Sequence, residues 1–271
     1  MAKVEGLLDE IPLFDNVPFK KINVTALKGL SNKNFLLQYN DTKNKKMQSV
    51  LRIPQSKTST IVNRCNEKHN RNLAYKLGLA PKTLWQNKQG VSLTEYINDA
   101  RKLTSKDLEK DQIVADIAEL MKTLHQSNVI FKGSLFPEDI AKCFDHYFSL
   151  CSEKNKLELK PEHQEILALC EKVKANKRTS VPSHIDLSDN ILIQKNKMWI
   201  IDWEYSAMAS PFWDLATVCN AMSLNQEQIK QLLSLCILES SETDYKCLKD
   251  YQQLELKLAN YWLRAFSRAE G

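Results

Sequence analysis

The chain has 271 residues, 43% of them hydrophobic and 26% charged, with a formal net charge of +5. This is the composition of an ordinary globular protein, long enough for one large domain or two lobes with a substantial core. The small basic excess is scattered among acids, and no dense basic helix or aromatic RNA-binding motif accompanies it, which argues against a nucleic-acid partner.

The seven cysteines are odd in number and none is paired as CxxC. Several lie in apolar helical patterns, so free buried thiols in a reducing compartment are expected. The first residues, MAKVEGLLDEIPLF, carry acids where a secretory signal needs an unbroken apolar run, and no stretch is apolar enough to cross a bilayer. A cytoplasmic protein with no membrane partner is the expectation.

In chain order, residues 19–28 and 34–40 read as strands joined by Gly29-Leu30-Ser31-Asn32-Lys33. Such a turn can set backbone N–H groups over phosphates, although most turns of this kind only reverse the chain. MQSVLRI, residues 47–53, reads as a third strand ended by Pro54, with Arg52 among apolar neighbours. A helix over residues 59–77 follows, ended by Gly78 and containing Glu67. Residues 81–85 and 90–97 read as the closing strands of a small sheet. From there helices dominate. Residues 103–126 carry an amphipathic stripe of Ile113, Ile117, Leu120, Met121 and Leu124, with His125 read as a packed or capping residue. Residues 137–150 and 161–174 read as helices each opened by a proline, with a Lys- and Glu-rich link between them that reads as a solvated loop or helix end. Residues 212–222, 226–238 and 244–268 read as helices, the second capped by Asn225.

The informative stretch is residues 182–214, PSHIDLSDNILIQKNKMWIIDWEYSAMASPFWD. Ile191-Leu192-Ile193 and Trp199-Ile200-Ile201 read as two strands around a Lys195-Asn196-Lys197 turn. The hairpin brings Asp186 and Asn190, before its first strand, close to Asp202 at the end of its second. Short acids and an amide gathered at one end of a hairpin suit magnesium ligation and proton acceptance from a hydroxyl. This is the equipment of phosphoryl transfer.

The layout resembles the kinase-like fold of the choline kinase and aminoglycoside phosphotransferase superfamily, and is most similar to its bacterial LicA-like branch. The resemblance rests on His184-Ile185-Asp186, Asn190 and Ile201-Asp202-Trp203-Glu204. GLSNKNFLL (29–37), VLRIP (50–54), NRCNEKHN (63–70), LGLAPK (77–82), GVSLTEYI (90–97) and DWEYSAM…PFWDLA (202–216) support it in this order. It implies an α+β bilobal protein-kinase-like fold. A small β-rich lobe over 1–97 would bind nucleotide, and a larger helical lobe over 98–271 would carry catalysis and the acceptor.

The resemblance also implies roles. Asp186 would accept the proton of the attacking hydroxyl. Asp202 would hold Mg²⁺ on the phosphates of ATP, and Asn190 would be the second metal ligand. Ser31 and Asn32 would cover the phosphates. Arg52 would replace the usual strand lysine and pair with Glu67, its fork gripping phosphate oxygens. The backbone of Glu95 to Ile97 would meet the adenine edge. His184 and Asp214 would be structural, one packing beneath the loop and the other accepting hydrogen bonds from its backbone. This chain departs from the pattern in one place. Only Leu187, Ser188 and Asp189 separate Asp186 from Asn190, one residue fewer than usual, which leaves Asp189 as an alternative metal ligand.

For the acceptor, a small cationic alcohol wants aromatic faces and an acid. Glu204, Tyr205, Trp213, Trp262 and Phe266 are the candidates, the last two on a string, ANYWLRAF, resembling the late aromatic helix of choline kinases. Choline is the expected acceptor. Thiamine, ethanolamine, an aminoglycoside, or an ATP-binding role without catalysis are the alternatives, and the oligomeric state is left open.

Overall fold

The computed structural model describes residues 2–15, 17–27, 32–54, 62–110, 112–175 and 178–266. The chain divides into two compact units, one made of Met1–Cys65 with Pro81–Asp99, the other of Asn66–Ala80 with Ala100–Gly271.

The first unit is built on a five-stranded antiparallel sheet. Its strands are β1 (Asn23–Leu27), β2 (Asn32–Asn40), β3 (Lys46–Pro54), β4 (Thr83–Gln86) and β5 (Ser92–Glu95), in spatial order β1-β2-β3-β5-β4. Leu51 of β3 is opposite Phe35 of β2 and Leu93 of β5. The alternation of apolar residues puts Leu37, Leu51 and Leu93 at zero exposure. Helix α1 (Ala2–Leu8) and the segment after it add Val4, Leu8, Ile11 and Phe14 to this core. Burying each such side chain contributes about 1.5–3 kcal/mol. The β4–β5 turn needs a glycine. Gly90 has φ +84°, and a Cβ there would lie 2.5 Å from the Arg64 side chain. Asn87 closes the same turn by accepting from the amides of Gln89 and Val91.

Helix α2 (Arg64–Lys76) is largely part of the second unit, which makes that unit discontinuous in sequence. Asn70 shows why. Its Nδ2 donates to the carbonyls of Lys132 and Ser206, and its Oδ1 accepts from the Lys132 amide. The division therefore differs from a single cut after residue 97. Gly78, at φ +75°, ends α2, with its own amide on Tyr75 O and the Leu79 amide on Ala74 O.

The second unit holds helices α3 (Ile113–His125), α4 (Pro137–Leu150), α5 (Glu153–Lys174), α6 (Pro211–Met222), α7 (Gln226–Cys236) and α8 (Glu242–Phe266). The apolar stripe expected on α3 is buried throughout. The helix does not begin at residue 103, however. Thr104 donates through its amide and hydroxyl to Asp107, closing a separate 3₁₀ turn over Ser105–Glu109. Helix α5 also begins earlier than expected. Ser152 caps it by accepting from the Asn155 amide, and Pro161 sits inside it rather than at its first turn. The Lys- and Glu-rich link is therefore helical. It is held against α8 by Arg264–Glu158 at 2.9 Å, by Lys257–Glu162, and by the Tyr261 hydroxyl, which donates to Leu159 O.

Two small sheets complete this unit. β6 (Arg101–Lys102), β9 (Ile191–Gln194) and β10 (Lys197–Ile200) form one, in order β10-β9-β6. β7 (Ser134–Leu135), β8 (Val181–Ser183) and β11 (Ala207–Ala209) form the other, in order β7-β11-β8. The β9–β10 hairpin pairs Gln194 with Lys197, with Lys195 in the turn at φ +53°. No helix among the described residues is long and apolar enough to cross a membrane.

Candidate active site

The loop between β8 and β9 carries His184, Asp186, Asp189 and Asn190. Its first residues are fixed by the start of α6. Pro211 at the first turn of α6 pre-sets the helix, and Asp214 follows in that turn. The Asp214 carboxylate accepts from the amides of His184, at 2.9 Å, and Ile185, at 2.8 Å. It also lies 3.0 Å from His125 Nε2. Asp214 is fully buried, which alone would raise its pKa. The hydrogen bond and charge of His125, with the His184 amide, hold it below the ordinary value instead. The His184 ring is buried edge-on against Trp203 at 4.7 Å, and its Nε2 donates to Ile201 O.

Asp186 follows this clamp. Burial raises its pKa and the charge of Asp202 adds to the effect, against the opposing pull of His184 and of the Ser188 hydroxyl bonded to Oδ1 at 3.1 Å. A carboxylate with a raised pKa is a stronger proton acceptor than an exposed aspartate. The short loop closes on itself. Asn190 Nδ2 donates to the Asp186 carbonyl at 2.8 Å, and the Ile201 amide donates to Asn190 O at 3.0 Å. This leaves the Asn190 side-chain oxygen as an acceptor. Asp189 is exposed and paired with Lys102 at 3.1 Å. Asp202 lies just past β10 with φ +61°, a conformation that aspartate tolerates better than most residues.

Asp186 has neighbours from distant parts of the chain. Tyr147 on α4 is buried, and burial, the nearby Cys143 and the charge of Asp186 all push its hydroxyl pKa upward. Tyr205 is raised by burial and by Glu204, Tyr147, Asp186 and Asp202. Its hydroxyl oxygen is buried with no hydrogen-bond partner among the described residues. Glu255 on α8 is raised by burial and, more weakly, by Asp186, while Asn220 Nδ2 donates to it at 2.6 Å. Phe266 meets Tyr147 edge-on at 6.1 Å, and Trp262 packs on Phe266 at 5.4 Å. The second unit thus brings Asp186, Asn190, Asp202, Glu204 and Tyr205 together, with Phe266 reaching them through Tyr147. Trp213 is placed differently. It is 2% exposed, its indole N–H donates to Ile185 O at 3.0 Å, and its ring meets Tyr251 edge-on at 6.1 Å. Its faces are enclosed by the core.

Tyr147, Asn220 and Glu255 escaped the sequence reading. Tyr147 and Glu255 sit on amphipathic helices among residues of similar type, Asn220 lies near the end of the largely buried α6, and no local pattern ties any of them to Asp186. Only the meeting of α4, α6 and α8 brings them near Asp186.

The remaining candidates are carried by other elements of the chain. In the first unit, Asn32 opens β2 opposite Pro54 and is buried, Arg52 on β3 is 8% exposed, and Glu95 ends β5 with its amide on Lys82 O. Ile97 is half-buried just beyond. Ser31 lies outside the described residues. Glu67 belongs to the second unit, buried, with Arg71 one turn along at 3.8 Å.

The profile of the choline/ethanolamine kinase family matches residues 24–264. Protein LicA of Haemophilus influenzae is 29% identical over 256 residues, which are 92% of this chain and 69% of that protein. A second LicA, from Haemophilus influenzae strain Rd, is 29% identical over 242 residues, 87% of this chain and 84% of its own. Among solved structures, choline kinase LicA from Streptococcus pneumoniae superposes with a TM-score of 0.79 at 23% identity, covering 99% of this chain and 94% of that one. A choline/ethanolamine kinase family protein from Mesorhizobium loti gives 0.74 at 22% identity, covering 100% and 88%. Macrolide 2'-phosphotransferase type I gives 0.61 at 14% identity, covering 98% and 92%, so the fold extends to antibiotic phosphotransferases. With the kinase-like fold in place and the match running over nearly the whole length, the chain belongs to the choline/ethanolamine kinase family and is a small-molecule kinase, a phosphotransferase acting on an alcohol.

Proposed function

We propose that this kinase transfers the γ-phosphoryl group of ATP, with Mg²⁺, to the hydroxyl of choline. The observation that carries the acceptor assignment is the group around Asp186: a buried tyrosine, Tyr147, a half-buried one, Tyr205, and a partly buried acid, Glu255. Aromatic faces and a carboxylate beside the base suit a quaternary ammonium one short link away from the reacting oxygen. Phe266 and Trp262 would extend the aromatic wall.

In this reading Asp186 orients the alcohol and takes its proton as the oxygen attacks the γ-phosphorus. The bond from phosphorus to the β-phosphate oxygen breaks, and ADP leaves. The donor set suits magnesium, which takes one or two protein oxygens and completes its shell with phosphates and water. Asp202 would supply a carboxylate and Asn190 its side-chain oxygen. Asp189 is the weaker candidate because Lys102 holds it. Bound there, the ion would neutralise charge building on the transferred phosphoryl group. Asn32 and Arg52 would contact the nucleotide phosphates, with Ser31 and Glu67 assisting, and the backbone of Glu95 to Ile97 would meet the adenine. A solved LicA structure carries AMP, which supports a nucleotide as the donor.

The test is steady-state turnover of a panel of hydroxylated amines by the purified protein, coupled to ADP release. Choline should give the highest kcat/KM, and turnover should require Mg²⁺. Asp186→Asn should lower kcat by about 10³-fold or more while nucleotide binding is kept. A wild-type rate in that variant, or equal use of neutral alcohols, would reject this reading.

A further inference from the structure

Ile185, the residue before Asp186, has φ +77°. A β-branched side chain is rarely found in that half of the map, because its Cβ crowds the neighbouring carbonyl. Such strain persists only where surrounding bonds over-determine the backbone, and the bonds here come from one turn of α6. Asp214 fixes the amides of His184 and Ile185. On the other side of the strained residue, the Ile185 carbonyl accepts from the Trp213 indole N–H at 3.0 Å. The Thr217 hydroxyl donates to Trp213 O at 3.0 Å and lies 3.5 Å from the same Ile185 oxygen. The Ile185 carbonyl belongs to the peptide unit that continues into Asp186. Its direction therefore sets where the Asp186 Cα, and with it the carboxylate, is aimed.

We propose that Trp213 is a positioning residue for the transfer step: its indole N–H holds the strained Ile185–Asp186 peptide and thereby aims the Asp186 carboxylate. The inference rests on Asp186 being the base. It assigns Trp213 a role distinct from acceptor contact, which its enclosed ring would not serve. It also explains why a tryptophan in a well-packed helix start presents its single polar atom to a loop carbonyl. A misaimed base slows the step without weakening the binding of either substrate.

The experiment compares W213F, I185N and the double variant in the full chain, with D186N alongside. Phenylalanine keeps a ring against Tyr251 and removes the donor. Asparagine at 185 accepts positive φ with less strain. W213F should lower kcat about tenfold, with KM for choline and ATP within about twofold of wild type. I185N should raise the melting temperature by about 2–4 °C. The double variant should recover most of the lost kcat, because the backbone no longer needs the indole to hold it.

A raised choline KM in W213F at unchanged kcat would overturn the proposal in favour of acceptor contact. So would a double variant as slow as W213F. Should W213F fail to fold, the decision falls to I185N, for which an unchanged or lowered melting temperature overturns the strained-peptide account. A wild-type rate in D186N would instead sink the base assignment, and this proposal with it, by a pattern none of the other outcomes produces.

Discussion

Two carboxyls with raised pKa values lie near one another in the second unit, and they make different demands on pH. In the proposed function Asp186 must be ionised to take a proton from any acceptor, and Glu255 would lie beside the cationic group of that acceptor. Glu255, raised by burial and by Asp186 against the hydrogen bond from Asn220, would act only on an acceptor that carries positive charge. As pH falls through each raised pKa, the corresponding negative charge is lost. Loss at Asp186 slows cationic and neutral alcohols alike. Loss at Glu255 weakens the cationic one alone. The ratio of kcat/KM for choline to that for a neutral isostere should therefore fall on the acid side. In Glu255→Gln the ratio should be lower by about tenfold and flat with pH, since one opposite charge beside a cation in a partly buried site is worth a few kcal/mol at most. Initial rates across pH 5–8 with both alcohols decide it. A pH-independent ratio in the wild type would remove Glu255 from the acceptor site.

At the scale of elements, α5 carries a defect that can be repaired. Pro161 lies inside the helix, exposed, and has no amide to give to the carbonyl of Leu157. Pro161→Ala should restore that bond and stabilise the fold by about 1–3 kcal/mol, seen as a melting temperature several degrees higher. Helix α7 offers the reverse experiment. Asn225 Oδ1 accepts from the Gln228 amide at 2.9 Å, and the Asn225 amide donates to Gln228 Oε1 at 3.0 Å. Asn225→Ala should cost about 1 kcal/mol in denaturant unfolding.

The link from β6 to the 3₁₀ turn gives a pH test of stability. Asp107 is held far below the ordinary carboxylate range, chiefly by its hydrogen bond from Arg101, helped by Thr104. A depressed folded pKa stabilises fully above the unfolded value near 4 and loses that contribution as pH falls below it. Wild type should therefore exceed Asp107→Asn in melting temperature by a constant margin near neutrality. The margin should shrink from about pH 5 toward pH 2.

These elements also mark what the sequence makes legible. Asn225, Gly78, the α3 stripe and the β9–β10 hairpin are local signals, carried by residues within a few positions of one another, and they are readable. Helix α5 is misread because a proline outweighs a capping serine nine residues upstream in any local reading. Strands of two or three residues, such as β6, β7 and β11, carry no periodicity at all and exist only because distant partners offer them hydrogen bonds. The acids of the loop were legible for the same reason as the hairpin, and Tyr147 and Glu255 were not, because three helices must meet before they become neighbours.

Over the whole molecule, thiol chemistry reports on packing. Cys65 is exposed, whereas Cys151, Cys170, Cys219 and Cys247 are buried and Cys143 and Cys236 partly so. Burial pushes Cys143 up to about 11 and Cys170, Cys219 and Cys236 up to about 12, so almost none of their thiolate exists at neutral pH. Iodoacetamide at pH 7.5, followed by peptide mass mapping, should label Cys65 in the native protein and the other six only after unfolding. Rapid native labelling of Cys219 would mean that α6 opens locally.

The interrupted chain path of the second unit has a practical meaning for dissecting the enzyme. Because Asn66–Ala80 leaves the sheet unit and returns to it, no single cleavage separates the two units. A fragment ending at Asp99 would carry α2 stripped of the carbonyls and amide that Asn70 grips, and should be recovered as aggregate. Excising residues 66–80 and bridging Cys65 to Pro81 with a short glycine-serine linker is the route by which the sheet could be made to stand alone, and a sharp amide spectrum from that fragment would show that it does.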